Sequence, residues 1–213
     1  MTPFTRVAMA PDVEAERLEL ADLLDTLADH EWRTPSLCAG WTVRDVAAHL
    51  TLADRKFTAT LLRGIRARGD FDRVTAEMAR ERALRHTPAD LVAQIRETAG
   101  RPRRFPMSGP LDPLADILVH AQDIARPLGR EHPMPIERTL PALQHVWTSL
   151  FYGTRKRFAG LRLVATDADW TAGDGPQEVR GPTAALLLLA TGRPTALPDL
   201  TGNGVTESAT RLK

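Results

Sequence analysis

Apolar residues recur at helical spacing over the first three quarters of the chain, which predicts a series of amphipathic helices. The predicted helices cover residues 12–28, a segment from Val43 to about Leu61, residues 72–99, residues 112–128 and residues 136–158. The last of these places its apolar residues alternately four and three positions apart, from Ile136 and Leu140 through Leu143 and Trp147 to Leu150 and Phe151. This alternation is typical of the buried seam of a helical bundle.

Two of these helices carry strong start signals. Thr42 precedes the stripe of Val43, Val46, Leu50, Ala53, Phe57 and Leu61, and Asp45 lies at the third helical position. A Thr side chain there can accept a hydrogen bond from a free backbone N–H, and the carboxylate can reach back to the cap. The run Thr87-Pro88-Ala89-Asp90 repeats the pattern with proline at the first helical position, so it predicts a fresh start within residues 72–99.

The pattern changes after Gly160. Residues 161–166 and 177–180 read as short strands separated by Gly and Asp turn residues, and residues 182–191 read as a short buried helix closed by Gly192. The sequence therefore predicts a mainly α protein, with a helical bundle over residues 1–158 and a small α+β region over residues 159–213.

Composition narrows the function classes. The 213 residues hold 28 Lys and Arg against 27 Asp and Glu, a net charge of +1, which gives no electrostatic reason to expect nucleic acid or an anionic membrane as partner. The longest apolar run, residues 184–190, is far shorter than a membrane span, and the N-terminus shows no secretory signal. The single cysteine, Cys38, excludes an internal disulfide and any multi-cysteine zinc site. We therefore expect a cytoplasmic protein whose metal ligands, where it has them, are His, Asp or Glu.

Two histidines lie at the border of an apolar stripe, each with an aspartate one turn earlier. On a helical wheel Asp45 lies about 40° from His49, and Asp116 lies about 40° from His120. Asp45 is already explained by the helix start. Asp116 lies beyond the first turn of its helix, so a role at the helix start does not explain why its carboxylate lies beside the inward-pointing imidazole of His120.

These residues suggest a metal site. Asp116 and His120, four residues apart, can share one ion, and His49 from another helix can supply a third ligand. Two imidazoles and one carboxylate leave one position open on a zinc ion, which is the pattern of a reactive site. The alternative is that both histidines are hydrogen-bonded packing residues.

The remaining candidates are weaker. Cys38 is flanked by Leu37 and Ala39 with no adjacent histidine, so packing is the favoured interpretation over a nucleophile. His145 is either a group behind the site or a surface residue. An arginine from one of three clusters could clamp a carboxylate substrate, since its guanidinium is a bidentate fork. These clusters are Arg63, Arg66 and Arg68; Arg80, Arg82 and Arg85; and Arg101, Arg103 and Arg104.

Three segments resemble one known family. Residues 36–50 (SLCAGWTVRDVAAHL) and residues 116–129 (DILVHAQDIARPLG) are similar to the two metal motifs of the mycothiol-dependent maleylpyruvate isomerase family, which is related to the DinB-like bundle proteins. Residues 161–200, with Gly181-Pro182 and Thr191-Gly-Arg-Pro194, resemble its small C-terminal region. The resemblance implies a DinB-like up-down four-helix bundle.

The resemblance also implies a divalent metal, usually zinc, held by His49, Asp116 and His120, and mycothiol as the thiol cosubstrate. Asp116 stands where the isomerase carries Glu and is one methylene shorter, so the metal would lie closer to its helix or bind more weakly. Asp123, about 60° from His120 on the wheel, is a candidate to orient that imidazole; the alternative is a surface carboxylate.

The expected function is a metal-dependent enzyme in which a low-molecular-weight thiol attacks a small electrophile, as an isomerase or an S-transferase. The alternatives are a metal-dependent hydrolase that uses no thiol, and a non-enzymatic bundle that binds a metal or small ligand. The sequence is compatible with a homodimer.

Overall fold

The computed structural model describes residues 10–52, 71–101 and 109–212, with the side chains of residues 71 and 72 left out. Helices account for most of these residues, and a small sheet follows them. The helices are α1 (Ala10–Asp25), α2 (Val43–Leu50), α3 (Phe71–Arg85), α4 (Pro88–Thr98), α5 (Asp112–Ala125), α6 (Ile136–Thr148), α7 (Thr154–Arg157), α8 (Thr183–Ala190) and α9 (Val205–Thr210). The strands are β1 (Leu161–Ala165), β2 (Thr171–Ala172) and β3 (Gln177–Gly181). The predicted mainly α fold with a small C-terminal α+β region is confirmed.

The helix starts follow the predicted chemistry. The Thr42 side chain accepts from the backbone N–H of Asp45, whose carboxylate accepts from the Thr42 backbone N–H. Thr87 and Asp90 form the same reciprocal pair at the start of α4. Hydrogen bonds from the Thr87 side chain and backbone lower the pKa of Asp90 below its ordinary value. The part of the second predicted helix that contains Ala53, Phe57 and Leu61 lies outside the described residues.

The chain divides into two compact units. The first comprises residues 1–113 and 120–132, and the second comprises residues 114–119 and 133–213, so α5 contributes to both. In the first unit α1 packs on α4, and α2 packs on α3 and α4. The division predicted from the sequence, after residue 158, stays a prediction.

The second unit joins α6 to the sheet region. β1 is central, antiparallel to β2 and parallel to β3 with Leu163 opposite Val179. Helix α8 packs on α6 and on β1 and β3, and its residues from Ala185 to Ala190 are buried. No helix in the described part of the chain is long and apolar enough to cross a membrane.

The fifth predicted helix is shorter than expected. It ends at Thr148, because Ser149 adopts an extended backbone with ψ of 130°, and Gly153 then takes a left-handed conformation with φ of 62° before α7. Leu150 and Phe151, predicted to be on the buried seam, are 95% and 84% exposed. The prediction was too long because apolar residues keep their helical spacing beyond Thr148, where the backbone leaves the helix.

Helix α5 is buried over most of its surface, and only the side that carries Asp112, Asp116 and His120 is half-buried. Leu114, Ile117, Leu118, Ala121 and Ile124 are at most 1% exposed. The buried surface also includes Val119, Gln122 and Asp123. Polar side chains on such a helix need partners within the protein, since water does not reach them.

Candidate metal centre

The predicted ligands come from two helices. His49 lies in the last turn of the eight-residue helix α2, whose start is fixed by the Thr42–Asp45 capping pair. Asp116 and His120 lie one turn apart on the continuous helix α5. All three are half-buried, so each can offer a ligand atom without full desolvation.

The structure brings the three side chains together. One ligand atom from each of His49, Asp116 and His120 lies within 4.8 Å of the others. The two imidazoles meet edge to face, with ring centroids 4.8 Å apart and planes inclined by 73°. The indole of Trp41 also meets the ring of His49 edge to face, with centroids 5.4 Å apart.

The donor set fits a zinc ion. Two imidazole nitrogens and a carboxylate oxygen are ligands that zinc takes in open, reactive sites. Bonds of about 2.0–2.2 Å in tetrahedral geometry place ligand atoms about 3.3 Å apart. The ligand atoms of His49, Asp116 and His120 lie within 4.8 Å of one another and so form a group of the size that one ion could bridge.

A buried carboxylate orients His120. Asp123 is 0% exposed, and its Oδ2 lies 2.8 Å from Nδ1 of His120. The alternative interpretation of Asp123 as a surface carboxylate is therefore wrong. A carboxylate on Nδ1 favours the tautomer that directs Nε2 toward a ligand, which is how outer carboxylates support metal-binding histidines.

Cys38 contacts the same carboxylate. Its Sγ lies 3.1 Å from Oδ2 of Asp123 and 3.8 Å from Nδ1 of His120. The sequence favours packing for Cys38 over a nucleophilic role, and the structure adds a hydrogen bond to Asp123 that the sequence did not predict. Sequence reasoning missed the contact because 85 positions separate Cys38 from Asp123, and neither helical periodicity nor local spacing relates them.

A further polar group is found elsewhere in the first unit. Glu16 on α1 is 0% exposed, and its Oε2 lies 3.4 Å from Nε2 of His132. Glu19 completes a trio with ligand atoms within 4.8 Å, but its side chain is exposed. The carbonyl of His132 accepts a hydrogen bond from Gln122, so the pair fastens the segment after α5. His132 lies in a loop, and no local signal in the sequence marks its burial.

The other candidates have structural contacts. The ring of His145 meets Tyr152 edge to face, 6.2 Å away. Arg80 donates to the carbonyl of Gly40, and Arg82 donates to Thr51 and Gln94. Arg85 pairs with Glu81 one turn earlier on α3, and Arg101, which follows the end of α4, pairs with Glu97. Arg63, Arg66, Arg68, Arg103 and Arg104 lie outside the described residues.

Comparison with known proteins finds a family match for the N-terminal part of the chain and similar folds among solved structures. Residues 13–113 match the family model described as the mycothiol maleylpyruvate isomerase N-terminal domain. The crystal structure of a mycothiol-dependent maleylpyruvate isomerase is 17% identical, with a TM-score of 0.61 over 95% of this chain and 93% of that one. The crystal structure of a point mutant of a mycothiol-dependent maleylpyruvate isomerase is 16% identical, with a TM-score of 0.60 over the same shares. No curated protein sequence matches the chain.

Proposed function

We propose, from the match of residues 13–113 to the mycothiol maleylpyruvate isomerase N-terminal domain, that the protein is a zinc-dependent enzyme acting with a low-molecular-weight thiol. By the same family argument the thiol is mycothiol. The second substrate is a small electrophile, which the enzyme either isomerises or joins to the thiol.

The convergence of His49, Asp116 and His120 carries the proposal. These side chains would hold the metal and leave a position for sulfur. A bound zinc ion lowers the pKa of a coordinated thiol, so that the sulfur is a nucleophile at neutral pH.

The chain's own residues prepare this chemistry. Asp123 would hold the proton on Nδ1 of His120, from which its Oδ2 lies 2.8 Å, so that Nε2 is the nitrogen available to a metal. Trp41 packs against His49 and limits the orientations of its ring. The two imidazoles are therefore held in place by different neighbours, a buried carboxylate for one and an indole for the other.

Two outcomes are open to the thiol adduct. Addition of the thiolate to an activated carbon–carbon double bond breaks the π bond, forms a C–S bond and moves the electron pair onto the electron-withdrawing substituent of the electrophile. The remaining single bond between the carbons can rotate. Return of the electron pair then expels the thiolate and gives the isomer, whereas uptake of a proton from water and release of the intact adduct make the protein an S-transferase.

Metal analysis tests the site. Protein purified without chelators is expected to hold one zinc per chain, and the His49→Ala and His120→Ala variants are expected to lose it. His30→Ala is the matched control, since His30 is exposed and lies outside the candidate group. Substoichiometric metal that is the same in His49→Ala and wild type would overturn the proposal.

A cobalt-substituted protein tests the thiol. Titration with mycothiol is expected to produce a thiolate-to-cobalt charge-transfer band in a Cys38→Ser variant, where the protein supplies no thiol that could imitate it. A site that binds cobalt but gives no such band would favour the hydrolase alternative over the thiol-dependent one.

A further inference from the structure

The loop that carries Cys38 is fixed on both sides. Pro35 and Thr42 form an antiparallel bridge, and the N–H of Ser36 donates to the carbonyl of Trp41 over 2.8 Å. Within the loop the hydroxyl of Ser36 accepts from the N–H of Cys38 and donates to the carbonyl of Trp41. The thiol therefore has a defined position.

The same loop is fastened to α5 at Asp123. The N–H of Leu37 donates to the backbone carbonyl of Asp123 over 3.2 Å. Backbone and side chain of one residue thus receive hydrogen bonds from consecutive positions of the loop. The contact between Cys38 and Asp123 is part of this attachment, so it does not depend on one flexible side chain.

The same oxygen of the Asp123 carboxylate contacts both Cys38 and His120. Oδ2 of Asp123 lies 3.1 Å from Sγ of Cys38 and 2.8 Å from Nδ1 of His120. A carboxylate has no proton to give, so the thiol donates its S–H and the imidazole its N–H. Because Asp123 is fully buried, loss of either donor leaves the carboxylate less well solvated within the protein.

We propose that Cys38 is a positioning residue that acts through Asp123 on the metal ligand His120. Its thiol fixes the side-chain rotamer of Asp123, and the carboxylate in turn fixes the tautomer and ring orientation of His120. This inference rests on the proposed function, which supplies zinc as the metal that His120 binds. It assigns to the only cysteine of the chain a role other than nucleophile or ligand.

The geometry separates this role from direct ligation. Cys38, His120 and Asp123 also place one ligand atom each within 4.8 Å of the others. However, Nδ1 and Oδ2 are at hydrogen-bond distance, closer than the about 3.3 Å that two ligands of a tetrahedral zinc require. The trio is therefore arranged as a hydrogen-bond chain leading to His120.

Zinc affinity measured by competition with a chromophoric chelator tests the proposal in Cys38→Ala and Cys38→Ser. Outer partners of a metal-binding histidine contribute about 10–100-fold to affinity, and a residue one step further out is expected to contribute about 3–10-fold. Cys38→Ala should therefore bind zinc about 3–10-fold more weakly. Cys38→Ser keeps a donor and should remain within about twofold of wild type. Equal affinities in wild type and Cys38→Ala, or an equal loss in both variants, would overturn the role.

A second measurement does not need the metal. Nitrogen-15 NMR of the imidazoles in metal-free protein is expected to show His120 in the Nδ1–H tautomer for wild type and Cys38→Ser, with a larger Nε2–H share in Cys38→Ala. An unchanged tautomer in Cys38→Ala contradicts the inference even where zinc binds. If the wild type binds no zinc while Cys38→Ala still shows the larger Nε2–H share, the proposed function is refuted and the positioning role of Cys38 is supported.

Cobalt binding without added thiol tests direct ligation. The wild type is expected to show no sulfur-to-cobalt charge-transfer band. A band that is present in wild type and lost in Cys38→Ser would make Cys38 a ligand and overturn the positioning role.

Discussion

Asp123 is the residue whose burial and hydrogen bonds most directly affect a proposed metal ligand. Asp123→Asn keeps the shape of the side chain but changes its charge and can donate as well as accept. The tautomer of His120 is then no longer enforced, and we expect zinc affinity to fall about 10–100-fold. Competition with a chelator measures this, and circular dichroism checks that the helices remain. An Asp123→Asn variant that binds zinc as tightly as wild type would show that the contact with His120 does not affect the metal.

The pair of Glu16 and His132 has a structural role that can be tested apart from the metal centre. His132→Ala leaves the fully buried Glu16 carboxylate without its imidazole neighbour. Removing one partner of a buried hydrogen-bonded pair costs about 1–3 kcal/mol, so we expect the free energy of unfolding in urea to fall by that order. His30→Ala, at an exposed position, should change it by less than about 0.5 kcal/mol. Equal stability of the two variants would show that the pair contributes nothing.

Among the helices, α2 and α4 begin with the same capping pair, which makes them natural controls for each other. Thr42→Ala and Thr87→Ala each remove a side-chain acceptor, and each should lower the free energy of unfolding by about 1 kcal/mol. Only α2 carries a proposed ligand, so only Thr42→Ala should also weaken zinc binding. A chelator competition on both variants measures this, and an equal effect on affinity would show that the cap of α2 does not position His49.

The local elements could be predicted from the sequence because their causes are local. Capping residues, helical spacing and turn residues identified the starts of α2, α4 and α5 and the two longer strands. The end of α6 could not be predicted, because the apolar spacing runs on through Leu150 and Phe151, which the backbone leaves exposed. The two-residue strand β2 offers too few positions for any period to show.

For the molecule as a whole, the contacts that matter most at the site connect distant positions. The wheels and the family resemblance identified His49, Asp116 and His120, whose ligand atoms lie within 4.8 Å of one another. They could not relate Cys38 to Asp123 or Glu16 to His132, because such pairs form only when separate segments pack. Sequence spacing predicts which side of a helix a residue occupies, but not which loop covers it.

The core makes no use of the proposed ligands, and this leads to a prediction for metal removal. The fully buried side chains include Leu20, Leu24, Leu91 and Leu114, all apolar and none in the candidate metal group. Chelation of the metal should therefore leave the helical circular dichroism and cooperative unfolding intact, as should His120→Ala. Free zinc at one hundred times its dissociation constant should raise the free energy of unfolding of wild type by about 2.7 kcal/mol, because the ion binds only the folded state. It should leave His120→Ala unchanged. Unfolding of the chelated wild type would make the site a structural one and would remove the reactive role assigned to it.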